Sequence, residues 1–309
     1  MNGVIRQGFT LIELMVVLAI LSALVALSMV GLSIVRNSAS DTQTANALRQ
    51  LGFAWVQYSA DSKGRFVPGF VNPDIQNKMK MAAAYPDHNW VSPAPTFEQD
   101  LPNIGGPWVW RLVQYLGGDV ETILPPDMRD LLPIIDYPAH GAAIANQPQF
   151  AYNGWYVGGH WSMAEDMSRP LLAFRKARLR NRSRLNLVSE SLGDMKHPSR
   201  IAVFMPGLLV PTPGAANIDM EDVTSWFEVT PPVLAEEVQW TLVGDGAAES
   251  VIFDAMVPSF GPRHDTPVYH ADGHIERVPS QKLRDQARWI DAAKEIDGVP
   301  ARDFTHEPD

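Results

Sequence analysis

From Phe9 to Val35 the chain runs for 27 residues with one ionisable side chain, Glu13, among Leu, Ile, Val, Ala, Met and a few hydroxyls. Leu14 to Val35 contributes 22 residues without a charge, and about 20 suffice for a helix to cross a bilayer. No proline interrupts the run, and in hydrocarbon a single segment can satisfy its own backbone only as a helix. The run therefore fixes a long helix at the N-terminus before anything else is decided. Glu13 is the anomaly, because a carboxylate entering hydrocarbon costs roughly 2.5–3.5 kcal/mol even on lenient scales.

Three arrangements compete for this segment. A signal peptide has a basic start, an apolar stretch of about 7–15 residues and a small-residue cleavage site. Leu24-Val25-Ala26 would serve as that site, but a glutamate at the head of the apolar stretch argues against it. A plain signal anchor leaves the glutamate unexplained. The third arrangement accounts for it: Gly8-Phe9-Thr10-Leu11-Ile12-Glu13-Leu14 resembles the type IV prepilin cleavage and methylation motif.

That resemblance implies cleavage between Gly8 and Phe9 by a prepilin peptidase, N-methylation of Phe9, and Glu13 as the fifth mature residue. It implies a leader over 1–8, a transmembrane and filament-core helix over 9–35, and a single-pass protein of the inner (cytoplasmic) membrane. The C-terminal domain would be periplasmic or extracellular, joining the filament after assembly. The implied partners are copies of the chain in a helical filament, other pseudopilins, the peptidase/methyltransferase, an inner-membrane assembly platform and membrane lipid. Glu13 would pair with the Phe9 amine of a neighbouring subunit. Opposite charges attract strongly at low dielectric, but desolvation leaves such a pair more useful for register than for net energy.

From Arg36 to about Ala60 the pattern turns amphipathic, with Ala45, Leu48, Gly52, Trp55 and, one step on, Val56 close to one face. This predicts that the helix continues over 36–60 and ends at Asp61-Ser62-Lys63-Gly64, its second half covering a globular domain. Asn46-Ala47-Leu48-Arg49-Gln50-Leu51-Gly52 with Tyr58, then Gly64-Arg65-Phe66-Val67-Pro68, is similar to the pseudopilin subfamily related to the type II secretion major pseudopilin. The expected fold is α+β: a long N-terminal helix, half membrane and half amphipathic, packed on a C-terminal antiparallel β-sheet domain of pilin-like type.

Residues 61–309 make the exported α+β body. A Pro- and Asn-rich excursion is expected over 68–107, with short helices at 107–116 and 126–135. The aromatic, glycine-punctuated stretch Phe150 to Gly159 reads as strand and turn, serving either as core beneath a sheet or as a ligand platform. Residues 175–184 carry six basic side chains in ten; a solvated helix face balanced by acidic neighbours is the plainer reading, and contact with an acidic partner the other. His197 to Met205 reads as a strand, Gln239 to Val243 as another, Leu283 to Ile296 as a helix, and the acidic tail after Gly298 as loose.

Asp272-Gly273 between the alternating runs Val268–Ala271 and His274–Val278 signals a two-residue hairpin. The same subfamily has a C-terminal signature of histidine, nine residues and Asp-Gly; here seven residues separate His264 from Asp272. His264, Asp265, His270, Asp272 and His274 fall within eleven residues, a composition that can bind zinc or a similar ion. Related major pseudopilins hold calcium in a C-terminal loop, which makes Asp265 and Asp272 the candidate oxygen ligands.

Other chemistry leaves little trace. The absence of cysteine excludes disulfides, thiolate metal sites and a cysteine nucleophile, and a net charge of −10 disfavours non-specific nucleic-acid binding. There is no phosphate loop, nucleophile elbow or helix-borne His-Glu-x-x-His. The expectation is a structural subunit and no enzyme. The alternatives are a type IV pilus subunit for adhesion or DNA uptake, and an anchored binding module or hydrolase exported on a pilin N-terminus. An enzyme should bring His264, Asp265 and His270 together with a distant acid.

Overall fold

The computed structural model describes residues 11–72, 106–117, 120–129, 144–163, 170–172, 176–179, 185–210, 224–229, 255–260, 264–283, 285–296 and 304–307. It has two compact units, Met1–Asn46 and Ala47–Asp309. Helix α1 runs over Leu11–Asp61.

In the first unit the helix displays its apolar side chains, Leu11 to Leu14 and Met15 to Val25 among them. Two of its serines bond back inside the helix: Ser22 Oγ donates to Leu18 O and Ser28 Oγ to Leu24 O, both at 2.8 Å. Such back-bonding hides the polarity of Ser and leaves an apolar surface. Among the described residues, no helix is long and apolar enough to cross a membrane, and the span expected over 9–35 is not identified there.

In the second unit the rest of α1 lies on the core. Leu48, Leu51, Ala54, Trp55 and Tyr58 are buried, a stripe spaced by three and four. Val56, expected on that stripe, is 48% exposed. One residue advances the helix by about 100°, which carries Val56 past the edge of the buried face. The helix ends where expected: Gly64 N–H donates to Ser59 O at 2.7 Å, with Lys63 at φ 56°. That geometry is a Schellman stop, which closes the last turn on itself.

The principal sheet is built around β8 (Ala202–Val210). Its first half is flanked by β3 (Phe150–Tyr152) and β11 (Asp265–His270), and β12 (Ile275–Pro279) lies beyond β11. Its second half pairs with β9 (Thr224–Ser225) and β10 (Ala255–Pro258). All these ladders are antiparallel. A smaller sheet orders β2 (Gly106–Pro107), β1 (Phe70–Val71), β4 (His160–Met163) and β5 (Pro170–Leu172), with β1 and β4 parallel. The fold is α+β, a helix on a mostly antiparallel sheet.

One row across the sheet receives the helix: Tyr152 and Tyr269 each stand opposite Phe204. Tyr152 stacks on Phe204 at 4.7 Å, Trp55 of α1 meets Tyr269 edge-on at 6.3 Å, and Trp55 Nε1 donates to Tyr152 Oη at 3.2 Å. Tyr152 Oη in turn donates to Val67 O at 3.0 Å, so the polar tips of both rings are satisfied within an aromatic core. Phe150 to Val157 is thus core beneath a sheet: Phe150, Ala151, Tyr152, Tyr156 and Val157 are all buried.

Several local expectations change. His197 to Ile201 is a turn, with Arg200 N–H on His197 O, and the strand begins at Ala202. Inside the basic run, Lys176–Leu179 is strand β6 and not a helix face. It pairs with β7 (Leu185–Asn186) on one edge and β13 (Phe304–Glu307) on the other, which satisfies its backbone across strands. The tail expected to be loose supplies that second partner. Leu283 to Ile296 is no single helix: one turn of α-helix at Ser280–Leu283 is followed by 3-10 helices at Gln286–Arg288 and Asp291–Ile296. Trp289 breaks the pattern by donating its Nε1–H to Leu283 O at 2.7 Å. The helix expected at 107–116 is Val109–Val113 plus a 3-10 turn, and at 126–135 only Pro126–Arg129 is described. The strand expected at 239–243 and most of the excursion at 68–107 lie outside the described residues.

Candidate functional site

Two regions carry the residues singled out by the sequence. Gly8 and Phe9 lie outside the described residues. Glu13 lies within the described part of α1.

The second region is the tip of the β11–β12 hairpin. Register pairs Tyr269 with Ile275, and His270 N–H donates to His274 O at 2.9 Å. Gly273 N–H donates to His270 O at 2.9 Å, and Gly273 has φ 95°. The loop is therefore three residues, Ala271-Asp272-Gly273, a type I turn followed by a left-handed glycine bulge, instead of the two-residue turn expected. Asp-Gly serves both turns, because each needs glycine where φ is positive.

This register separates the expected ligands. Asp265 stands at the open end of the hairpin opposite Pro279, and its Oδ1 accepts from Arg277 Nη2 at 2.6 Å and Nε at 3.0 Å. Asp272 is in the loop, where its Oδ1 lies 2.5 Å from His274 Nδ1 and accepts from His274 N–H at 3.2 Å. Burial works to raise the Asp272 carboxyl, but the His274 hydrogen bonds and the nearby imidazoles outweigh it and hold it below the usual range. Each carboxylate is thus already engaged, at opposite ends of a hairpin, and the pair does not make an oxygen cage for calcium. His264 has φ 55° and its carbonyl accepts from Ser280 N–H, also at the open end. His264, Asp265 and His270 do not converge.

What does converge is His270, His274 and Glu276, whose ligand atoms all lie within 4.8 Å of one another. His270 Nε2 is 3.7 Å from Glu276 Oε2, and the two imidazoles stack face to face at 4.3 Å and 3°. The His270 side chain is fully buried, and among the described residues neither ring nitrogen has a hydrogen-bond partner. Burial, then the charge of His274, pushes its pKa down to about 4, so the ring is neutral near pH 7. Arg288 Nη1 touches Glu276 Oε2 at 3.5 Å. Glu276 escaped the sequence reading, since only the cross-strand register brings it beside His270. Its spacing of two from His274 on an extended strand was the available signal.

A second buried polar pair also escaped it. His160 Nε2 lies 2.5 Å from Glu228 Oε2, with Trp155 stacked on the imidazole at 4.0 Å and Phe70 on it at 5.6 Å. The two residues are 68 apart in sequence, and β-bridges at Phe70 and Tyr152 bring them together.

Comparison with known proteins gives one match. A family model, the prokaryotic N-terminal methylation motif, matches residues 5–29. No curated protein and no solved structure matches the chain. The matched segment contains Gly8, Phe9 and Glu13 and overlaps the exposed apolar part of α1.

Proposed function

We propose that this chain, whose residues 5–29 match the prokaryotic N-terminal methylation motif, is a type IV pilin-like protein and, more specifically, a pseudopilin, a structural subunit of a type II secretion-type or type IV pilus-like filament. Prepilin peptidase cuts between Gly8 and Phe9, Phe9 is N-methylated, and the apolar segment 9–35 stays on the chain as its inner-membrane anchor and later as filament core. The methylation motif over 5–29 is the observation that carries this reading. A second support is α1 itself, one helix over Leu11–Asp61 whose first part exposes apolar side chains, such as Leu11 at 75% and Met29 at 67%. Such a surface calls for lipid or for other helices.

In the filament Glu13 pairs with the Phe9 amine of a neighbouring copy and sets the register between helices. The body formed by residues 61–309 faces outwards. The chain does mechanical work and no catalysis; cytoplasmic machinery supplies the energy for assembly.

Intact mass and N-terminal sequencing of the protein from membranes, beside a Glu13→Ala variant scored for filament incorporation, test this. The expected mature chain starts at N-methylated Phe9, and Glu13→Ala is processed but poorly assembled. A chain still starting at Met1, or cut near Ala26, sinks the reading in favour of an anchored or secreted module.

A further inference from the structure

We propose that His270, His274 and Glu276 form a binding site for a divalent transition metal of the zinc class at the tip of the β11–β12 hairpin, with Asp272 positioning His274. The inference is independent of how the N-terminus is processed.

The donor set comes first. Two imidazoles and one carboxylate match the three-ligand zinc sites that leave a fourth position to water. Their ligand atoms lie within 4.8 Å of one another, and the His270 Nε2 to Glu276 Oε2 separation is 3.7 Å. With zinc–nitrogen and zinc–oxygen bonds of about 2.0–2.2 Å, ligand atoms stand roughly 3.3–3.6 Å apart in a tetrahedron. That edge is nearly in place.

Second, His270 is 0% exposed, and among the described residues neither Nδ1 nor Nε2 has a hydrogen-bond partner. An imidazole buried without a hydrogen-bond partner is destabilising, and a metal bond removes part of that cost. Third, the outer contact of a zinc histidine is already present. Asp272 Oδ1 takes His274 Nδ1 at 2.5 Å, which fixes the tautomer and leaves Nε2 for the metal. The Asp272 backbone is held by the same turn, through Gly273 N–H on His270 O.

The two imidazole planes are parallel to within 3° with centroids 4.3 Å apart, so the rings as stacked cannot both aim an in-plane nitrogen at one ion. Closing the site requires the surface ring of His274, whose side chain is 43% exposed, to tilt out of the stack. Glu276 exchanges its 3.5 Å contact with Arg288 for the ion. Nitrogen donors select against calcium, which takes oxygen.

The test uses the full chain in detergent micelles, stripped with chelator and titrated with Zn²⁺ alone, then with Co²⁺ as a spectroscopic substitute. Expected are one saturable Zn²⁺ site per chain, the intense visible bands of tetrahedral cobalt, and an affinity loss of at least about tenfold in both His274→Ala and Glu276→Gln. Tenfold is the scale on which even an outer partner of a metal ligand counts. These two positions are partly exposed, so the variants fold even if His270→Leu does not; His197→Ala, elsewhere in the molecule, binds as the parent does. Absence of a saturable site, an octahedral cobalt spectrum, or a loss below tenfold in either variant overturns the proposal.

Discussion

At Gly52 the backbone of α1 rests on an aromatic ring. A Cβ built there would fall inside the Tyr269 ring, against Cε2, Cζ and Cδ2. Glycine inside a helix costs about 1 kcal/mol relative to alanine, so its presence here is explained by the close approach it permits. Gly52→Ala gains that propensity and loses about 1–3 kcal/mol to overpacking, because the ring is wedged between helix and sheet and cannot retreat freely. The expected result is a net loss of about 1 kcal/mol in denaturant unfolding. Phe53→Ala, one residue on and 68% exposed, should stay within about 0.5 kcal/mol. Equal effects at the two positions would mean that the helix does not dock on Tyr269.

Elements are tied together by Asn153. Its Nδ2 donates to Ala202 O at 2.9 Å, at the head of β8, and to Trp289 O at 3.0 Å, in the C-terminal 3-10 segment. Asn153→Ala leaves two buried carbonyls without that donor, at about 1–3 kcal/mol for an unsatisfied group. Hydrogen exchange should then quicken first over 286–296, which is short-turn structure, and only later in β8. The same bond explains what could and could not be read from the sequence. The apolar run and the stripe through Leu48 and Trp55 made α1 legible because a helix repeats its own pattern. Leu283 to Ile296 carries a helical pattern too, but Trp289 gives its indole N–H to Leu283 O and its carbonyl to Asn153. Those partners are distant and override local preference. The hairpin was legible in Asp272-Gly273 and its loop length was not, since both turn types ask for glycine there. Asp265 and Asp272 were expected as ligands from the calcium-holding C-terminal loop of related pseudopilins. The strand register sends Asp265 to Arg277 and brings Glu276 to His270 instead.

At the scale of the whole molecule, the core of the second unit is unusually dependent on neutral tyrosines. Tyr58, Tyr152 and Tyr156 are pushed up from 10.0 chiefly by burial, offset in Tyr58 by the Arg111 charge and a Ser62 hydrogen bond, and in Tyr152 by the Trp55 indole. Tyr269 is raised to about 12 by burial and by the Asp272 carboxylate. The sign follows from linkage. Each folded pKa lies above its unfolded value, so the folded state holds protons that the unfolded chain gives up. The stabilisation is complete below pH 10 and is lost as pH climbs through the folded values. An alkaline titration followed by tyrosinate absorbance should therefore show at most three of the seven tyrosines ionising in the folded protein. The other four should appear together with loss of the circular dichroism signal, since Tyr152 and Tyr269 flank Phe204 in the row that receives α1. Ionising either ring means opening that contact. Gradual ionisation of all seven while the fold persists would show that the helix–sheet interface admits water, and that Gly52 and Trp55 do not seal it.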